Sequence, residues 1–254
     1  MANSNSWDKI YADLEISKHN FDEGPFFISA SDIKIACQDY KKTTEKEVRI
    51  LCKQDKREDR PDVFVKNNLF ILPTTNGNYY LVRGEGYIDI PEIMTDPIIY
   101  ESKLQFSLLS SMVGNSEMQH LDFAYASSLI RTFMNDPSLV LTIRGRKFTP
   151  KFDFFVGNNK IDVSSVQTEV DAGYEGESQI VLIEAKNLKT KNTIIRQLYY
   201  PYRQWKIQTG KDVYTLFFEK NHKNNTYSIW QFAFDNSEDY NSIKLVKSAR
   251  YKII

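Results

Sequence analysis

Residues 167–187 read QTEVDAGYEGESQIVLIEAKN: two strand-like runs, joined by a Gly- and Glu-rich connection, that each close on acids. The first run ends with Glu169 and Asp171, and the second, more apolar one ends with Glu184 and Lys186. Residues i and i+2 of a strand project to one face, so Glu184 is expected beside Lys186 and Glu169 beside Asp171. If the two runs are antiparallel neighbours, three or four carboxylates and one ammonium meet in one place. Carboxylates that close repel one another and titrate upward unless a cation neutralises them. Hard oxygen donors with room for water suit Mg2+.

Working outward, residues 116–135 carry Met118, Leu121, Phe123, Tyr125, Leu129, Ile130 and Phe133 at spacings of three and four, which predicts one helix between Ser116 and Asp136-Pro137. Strands are expected at 139–144, 151–156, 166–171, 178–184, 212–218 and 227–233, with a helix bearing Ile195, Leu198 and Tyr199 before the fifth of them. The expected product is an α/β (α+β) domain with a central mixed sheet flanked by helices. PEIMTDPIIYES, residues 91–102, combines two prolines with turn formers and is read as the seam between an N-terminal module, 1–95, and this domain, 96–254. In the N-terminal module, 7–16 and 43–55 look helical, and Ser29 to Asp32 offer helix caps. NLFILPTTNGNYYLVRG reads as a hairpin around Asn76-Gly77. Short helices followed by a hairpin fit a small α+β, winged-helix-like module.

The chain has 254 residues with 33 basic and 33 acidic side chains, and its longest charge-free stretch, Asn67 to Val82, is 16 residues and contains Pro73. A membrane span of about 20 apolar residues is therefore not expected, and the opening MANSNSWDKIYADLE has neither the basic nor the apolar region of a secretory signal. The expectation is a cytoplasmic protein. Cys37 and Cys52 are too few for a disulfide framework or a thiolate zinc site, and His19, His120 and His222 show no ligand spacing. The charge balance conceals an uneven distribution. Residues 185–211 hold seven positive side chains and no acid, whereas residues 1–30 hold five acids and two lysines. That basic stretch is either a surface for nucleic acid or a solvated face without a partner.

Asp171, twelve intervening residues and then Glu184-Ala185-Lys186 on an apolar strand resemble the PD-(D/E)xK nuclease superfamily. Val170, where that pattern has proline, is a departure at a variable position. The resemblance extends over IRGRKFTPKFDFFV, RQLYYPYRQW, EVRILCKQDKREDRPDVF and LFILPTTNGNYYLV, and is to type II restriction-endonuclease-like proteins in which an N-terminal module precedes the nuclease core. It implies a restriction-endonuclease-like fold and Mg2+-dependent hydrolysis of double-stranded DNA at a specific sequence. In that chemistry Asp171 and Glu184 hold the metal and Lys186 positions or helps deprotonate the attacking water. Glu169 is an auxiliary catalytic candidate. Gln197 sits where related nucleases carry a glutamine, although Pro201 interrupts the stricter Gln-x-x-x-Tyr form. DNA contacts are expected from Arg144, Arg146 and Lys147, read as a tight basic turn around Gly145, and from Lys189, Lys191, Arg196 and Arg203. A palindromic target would be cut by a symmetric homodimer; a monomer cutting one strand at a time stays open.

Each residue has a plainer alternative. Asp171 before Ala-Gly could be a turn residue, and Glu184 with Lys186 a surface ion pair. Glu169 could be an exposed acid, and Gln197 could bond solvent or a neighbouring loop. Glu175 and Glu177 read as solvated turn acids, and exposed helix positions are favoured for Glu117 and Asp122 over a metal-facing role. Tyr199, Tyr200, Tyr202 and Trp205 are better read as core than as base-stacking platforms. The rival functions are a non-catalytic DNA-binding module on the same scaffold and a repair or recombination nuclease acting on structured DNA.

Overall fold

The computed structural model describes residues 4–254. The N-terminal part begins with α1 (Ser4–Asp13), which buries Trp7 and Ile10, and Trp7 Nε1 donates to the Leu51 carbonyl. Strand β1 (Phe26–Ser29) runs into α2 (Ala30–Ala36), where Ser29 and Asp32 form a reciprocal capping box. Three short helices follow: α3 (Thr43–Lys46), α4 (Val48–Leu51) and α5 (Asp62–Lys66). The helix expected over 43–55 is thus two fragments, parted at Glu47, whose backbone is extended. Strands β2 (Leu69–Thr75) and β3 (Asn78–Arg83) make the expected hairpin, and β1 pairs with the far side of β3. Only Gly77 of the Asn76-Gly77 pair has a positive φ, and the register shifts between Pro73 and Thr75.

Leu69 and Ile71 of β2 pack with Trp7, Ile33, Leu51 and Phe64, whereas Phe70 and Leu72 pack with Ile194, Tyr200 and Tyr240 of the C-terminal half. Burial of β2 on both faces accounts for its unbroken apolar run LFIL, and it fuses the two halves through a shared core. The seam expected near 91–102 is bridged by pairing as well as packing. Strand β4 (Tyr87–Asp89) pairs with β11 (Asn192–Ile194), and β5 (Ile98–Tyr100) is the edge strand of the main sheet.

The rest of the chain comprises α6 (Glu117–Ala126), α7 (Leu129–Met134), β6 (Val140–Phe148), β7 (Phe152–Val156), β8 (Asn159–Val163), β9 (Gln167–Glu175) and β10 (Gln179–Lys186). After β11 come α8 (Arg196–Thr209), β12 (Asp212–Asn221), β13 (Thr226–Phe234) and β14 (Ile243–Ile253). The seven-stranded mixed sheet has the order β5-β14-β13-β12-β10-β9-β6, with β10 parallel to β12 and antiparallel to β9. One face is covered by α6 and α7 over Leu121, Ile130, Tyr174, Ile183 and Leu216, and the other by α8 over Ile180, Leu182, Leu198 and Phe217. Among the described residues, no helix is long and apolar enough to cross a membrane.

The helix expected over 116–135 breaks at Ser128, which is left-handed at φ 68°, because Tyr100 Oη donates to the Ser127 carbonyl and the core turns there. Strands β8 and β14 have no counterpart among the expected strands. In β14, Lys244 to Lys247 are exposed and only the ends are buried, so the strand lacks an alternating apolar signal.

Gly173 of β9 pairs with Ile143 of the antiparallel neighbour β6, and a Cβ there would stand 2.7 Å from Ile143 Cβ. Gly173→Ala is predicted to destabilise the chain by about 1–3 kcal/mol in urea unfolding. Gly24→Ala, where nothing lies within 4 Å, should stay within about 0.5 kcal/mol of the parent.

Candidate active site

Strands β9 and β10 pair as far as Ile183 opposite Ala172 and then part. Past that point Asp171 Oδ2, rather than a β9 carbonyl, accepts from the Ala185 N–H at 2.8 Å. The carboxylate closes the open end of the ladder and is thereby fixed beside Glu184, the next residue of β10. On its other side β9 has an extra residue: Gly173 pairs with Ile143 and Val170 with Gly145, leaving Asp171 and Ala172 opposite Arg144 alone. Such a bulge reverses the alternation of a strand. Thr168 bonds Gln204 of α8 and Val170 packs on the α8 side, whereas Ala172 and Tyr174 pack under α6 and α7. Gly145, at φ 73°, takes a conformation that side-chain-bearing residues rarely adopt.

On β10, Leu182 faces α8 and Ile183 and Ala185 face the opposite core, so Glu184 and Lys186 share the α8 side as strand geometry requires. Lys186 Nζ donates to Glu184 Oε1 at 2.5 Å. Burial lifts the Glu184 pKa to about 7; nearby Asp171 adds to the rise and Lys186 opposes it. Burial likewise raises Asp171, against the Ala185 hydrogen bond and Lys186, with Glu117 adding to the rise. Burial works against the charge on Lys186, but Glu184, Asp171 and Glu117 together carry its pKa above the ordinary lysine value. Three carboxylates, Glu117, Asp171 and Glu184, thus act on one ammonium.

Glu117 reaches this cluster from the first turn of α6, which Ser116 caps through the Gln119 N–H, and Glu117 Oε1 accepts from the Asn187 N–H at 3.2 Å. Its expected place on an exposed helix face is corrected accordingly: it lines the cleft. Asp122, five residues on, instead pairs with Arg144.

The acids lie in a cleft of about 590 Å³ between the sheet end and the N-terminal part. Glu117, Asp171, Glu184, Lys186, Arg196 and Gln197 line one side, and Arg49, Lys53, Asp55 and the β2–β3 hairpin line the other. Gln197 Oε1 accepts from Thr193 Oγ1, which fixes the amide and leaves its N–H groups for other partners. Pro201 withholds the N–H that the Gln197 carbonyl would accept in a regular helix. No sequence signal singles out Arg49, Lys53 and Asp55. They belong to short helical and loop segments whose neighbourhood only the fold determines.

The remaining expected site residues divide. Glu169 lines the cleft rim, but the bulge separates it from the acid pair, and it is largely exposed and bonded to Arg146. Arg144, Arg146 and Lys147 do not form a tight turn: they lie within β6, paired to β9 across the bulge. The glycine signal there marks an irregular strand rather than a loop. Lys189 pairs with Glu92 outside the cleft, and Lys191 is exposed beside β11. Arg203 is corrected from a DNA contact to an internal clamp. Its Nη1 donates to the Asp153 and Ser237 carbonyls, and the guanidinium lies over the Phe152 and Tyr199 rings. Tyr199, Tyr200 and Tyr202 are buried in the core. Glu175 pairs with Lys211, and Glu177 is exposed.

Among the described residues, no three His, Cys, Asp or Glu side chains form a metal-binding group. Asp171 and Glu184 nevertheless suit a hard divalent cation as two desolvated carboxylates, and Mg2+ ordinarily keeps several waters around one or two such ligands. Glu184 would exchange its bond with Lys186 for the cation.

The chain belongs to the family described as Domain of unknown function (DUF6997), whose model matches residues 82–252. A second model, Domain of unknown function (DUF6996), matches residues 4–81. The boundary between the two falls inside β3. No curated protein and no solved structure matches the chain.

The pKa of Glu184 sets the sign of a pH dependence. Its ordinary value is 4.5 and its folded value about 7, so the folded chain holds this proton more tightly than the unfolded chain. Stability without added cation is therefore greatest on the acid side of this window and falls as pH rises from about 4.5 through about 7. Glu184→Gln should flatten that fall and raise the melting temperature at pH 8 (about one unit above the folded value), as measured by thermal unfolding in chelator.

Proposed function

We propose that the cleft hydrolyses phosphodiester bonds of double-stranded DNA with Mg2+, as a restriction endonuclease of type II. The observation that carries the reading is the largely buried pair Asp171 and Glu184, held on neighbouring strands at the rim of an open cleft with Lys186 on the same face as Glu184. Desolvated acids that share one ammonium are costly to stability, and a surface ion pair needs no such burial. The helix, three antiparallel strands, helix and parallel strand that surround the pair are also in keeping with a restriction-endonuclease-like core.

Asp171 and Glu184 would hold Mg2+, which supplies charge that polarises the phosphate and acidifies its water. Lys186, released from Glu184, orients the attacking water and offsets charge developing on the phosphate. Attack in line forms the new bond to phosphorus as the bond to the leaving oxygen breaks, and that oxygen departs with a proton. Gln197, anchored by Thr193, presents its amide N–H groups to a phosphate oxygen or to the water. Sequence-specific cleavage by a cytoplasmic homodimer at a palindrome completes this reading.

Purified protein incubated with plasmid and phage DNA should cut in Mg2+ and stop in chelator. Lys186→Ala should lower cleavage by orders of magnitude while leaving DNA affinity near the parent value. Preference for branched or nicked DNA over any duplex sequence would shift the reading to a repair nuclease. Full biological activity in Lys186→Ala would make the chain a non-catalytic binder.

A further inference from the structure

Arg196 opens α8 and lines the same cleft as the acid pair, yet the fold leaves its guanidinium poorly satisfied. Its side chain is only 23% exposed, its Nε is buried without a hydrogen-bond partner, and the nearest carboxylate, Asp55, stands 3.8 Å from Nη2. That separation is beyond hydrogen-bond length. A buried donor without a partner is costly and needs an explanation, and a cation in the first turn of a helix opposes the helix dipole. An anionic partner would relieve both of these independent penalties at one residue. The planar fork of arginine matches two oxygens of a phosphate.

Asp55 shows where that anion would lie. Its other oxygen is 3.6 Å from Lys53 Nζ, again too long for a hydrogen bond, so one carboxylate lies loosely between two cations. Beyond it on the same wall, Lys53 is 72% and Arg49 90% exposed. Exposed cations on the rim of a cleft suit backbone phosphates, which carry charge but no sequence information.

We propose that Arg196 receives a DNA phosphate adjoining the one to be cleaved, displacing Asp55, and that Lys53 and Arg49 continue the grip along the strand. The N-terminal part is then the second jaw of a phosphate clamp rather than a reader of bases. This rests on the nuclease reading above and adds to it the role of residues 49–55.

The test measures binding of a fluorescein-labelled, random-sequence duplex to the full chain, with Ca2+ in place of Mg2+, across a salt series. Removing both rim cations, Arg49→Ala with Lys53→Ala, should reduce the slope of log affinity against log salt by about two. Arg196→Lys should weaken binding roughly tenfold or more, since the bidentate fork is lost. Asp55→Asn should tighten binding, because it removes the competing anion, whereas a merely structural ion pair would give weaker binding. Melting temperatures accompany each variant. If Arg196→Lys fails to fold, the exposed double variant and Asp55→Asn decide. Unchanged slope in the double variant together with unchanged or weaker binding in Asp55→Asn, in a chain that still binds and cuts DNA, would overturn the clamp and leave the nuclease reading intact. A parent chain that neither binds nor cuts DNA removes both.

Discussion

Where β9 and β10 part, the Ala185 N–H is satisfied by the Asp171 carboxylate, and the geometry of the cleft depends on this substitution of a side chain for a strand carbonyl. It places an acid beside Glu184 without help from a loop. It also holds the strand ends apart, so that the acids meet the cleft rather than continuing sheet. The bulge on β9 and the close approach of Ile143 to Gly173 support the same point from the other side, by turning β9 just where the acid is required. The site is therefore built on sheet, the more rigid foundation for a constellation that must hold two like charges together.

Much of this was legible in the sequence because it depends on strand periodicity. Glu184-Ala185-Lys186 shares a face for the simple reason that strands repeat every two residues, and the apolar QIVLIEAK run placed it on a buried strand. The same rule failed for Glu169, because a bulge adds a residue and the alternation no longer counts in twos. It failed in a related way at Arg144 to Lys147, where a glycine inside a strand looks like a turn when only local chemistry is read. Local reading raised Glu117 as a metal-facing acid but favoured an exposed position, and the wall formed by Arg49, Lys53 and Asp55 lay beyond it altogether. Nothing in their own segments distinguishes them from solvated charges, and only tertiary packing brings them to the acids.

The doubly buried β2 gives the two halves a relationship that composition did not suggest. A seam of prolines and turn formers is present at residues 91–102, yet Phe70 and Leu72 belong to the C-terminal core while Leu69 and Ile71 belong to the N-terminal one. Two family models meeting inside β3 thus correspond to one continuous packed body across their boundary. The cleft inherits both walls from that fusion, which ties any substrate contact on the N-terminal side to the position of the acids.

The proposal that matters most is that Asp171 and Glu184 form a cation site in which Glu184, lifted by burial to about 7, gives up its proton as the cation arrives. Calorimetric titration of Mn2+ into the full chain near pH 7, repeated in buffers of differing ionisation enthalpy, measures this directly through proton release on binding. The account predicts saturable binding with release of a fraction of a proton in the parent chain and loss of both in Glu184→Gln. Binding without proton release, or of equal strength in Glu184→Gln, would contradict it.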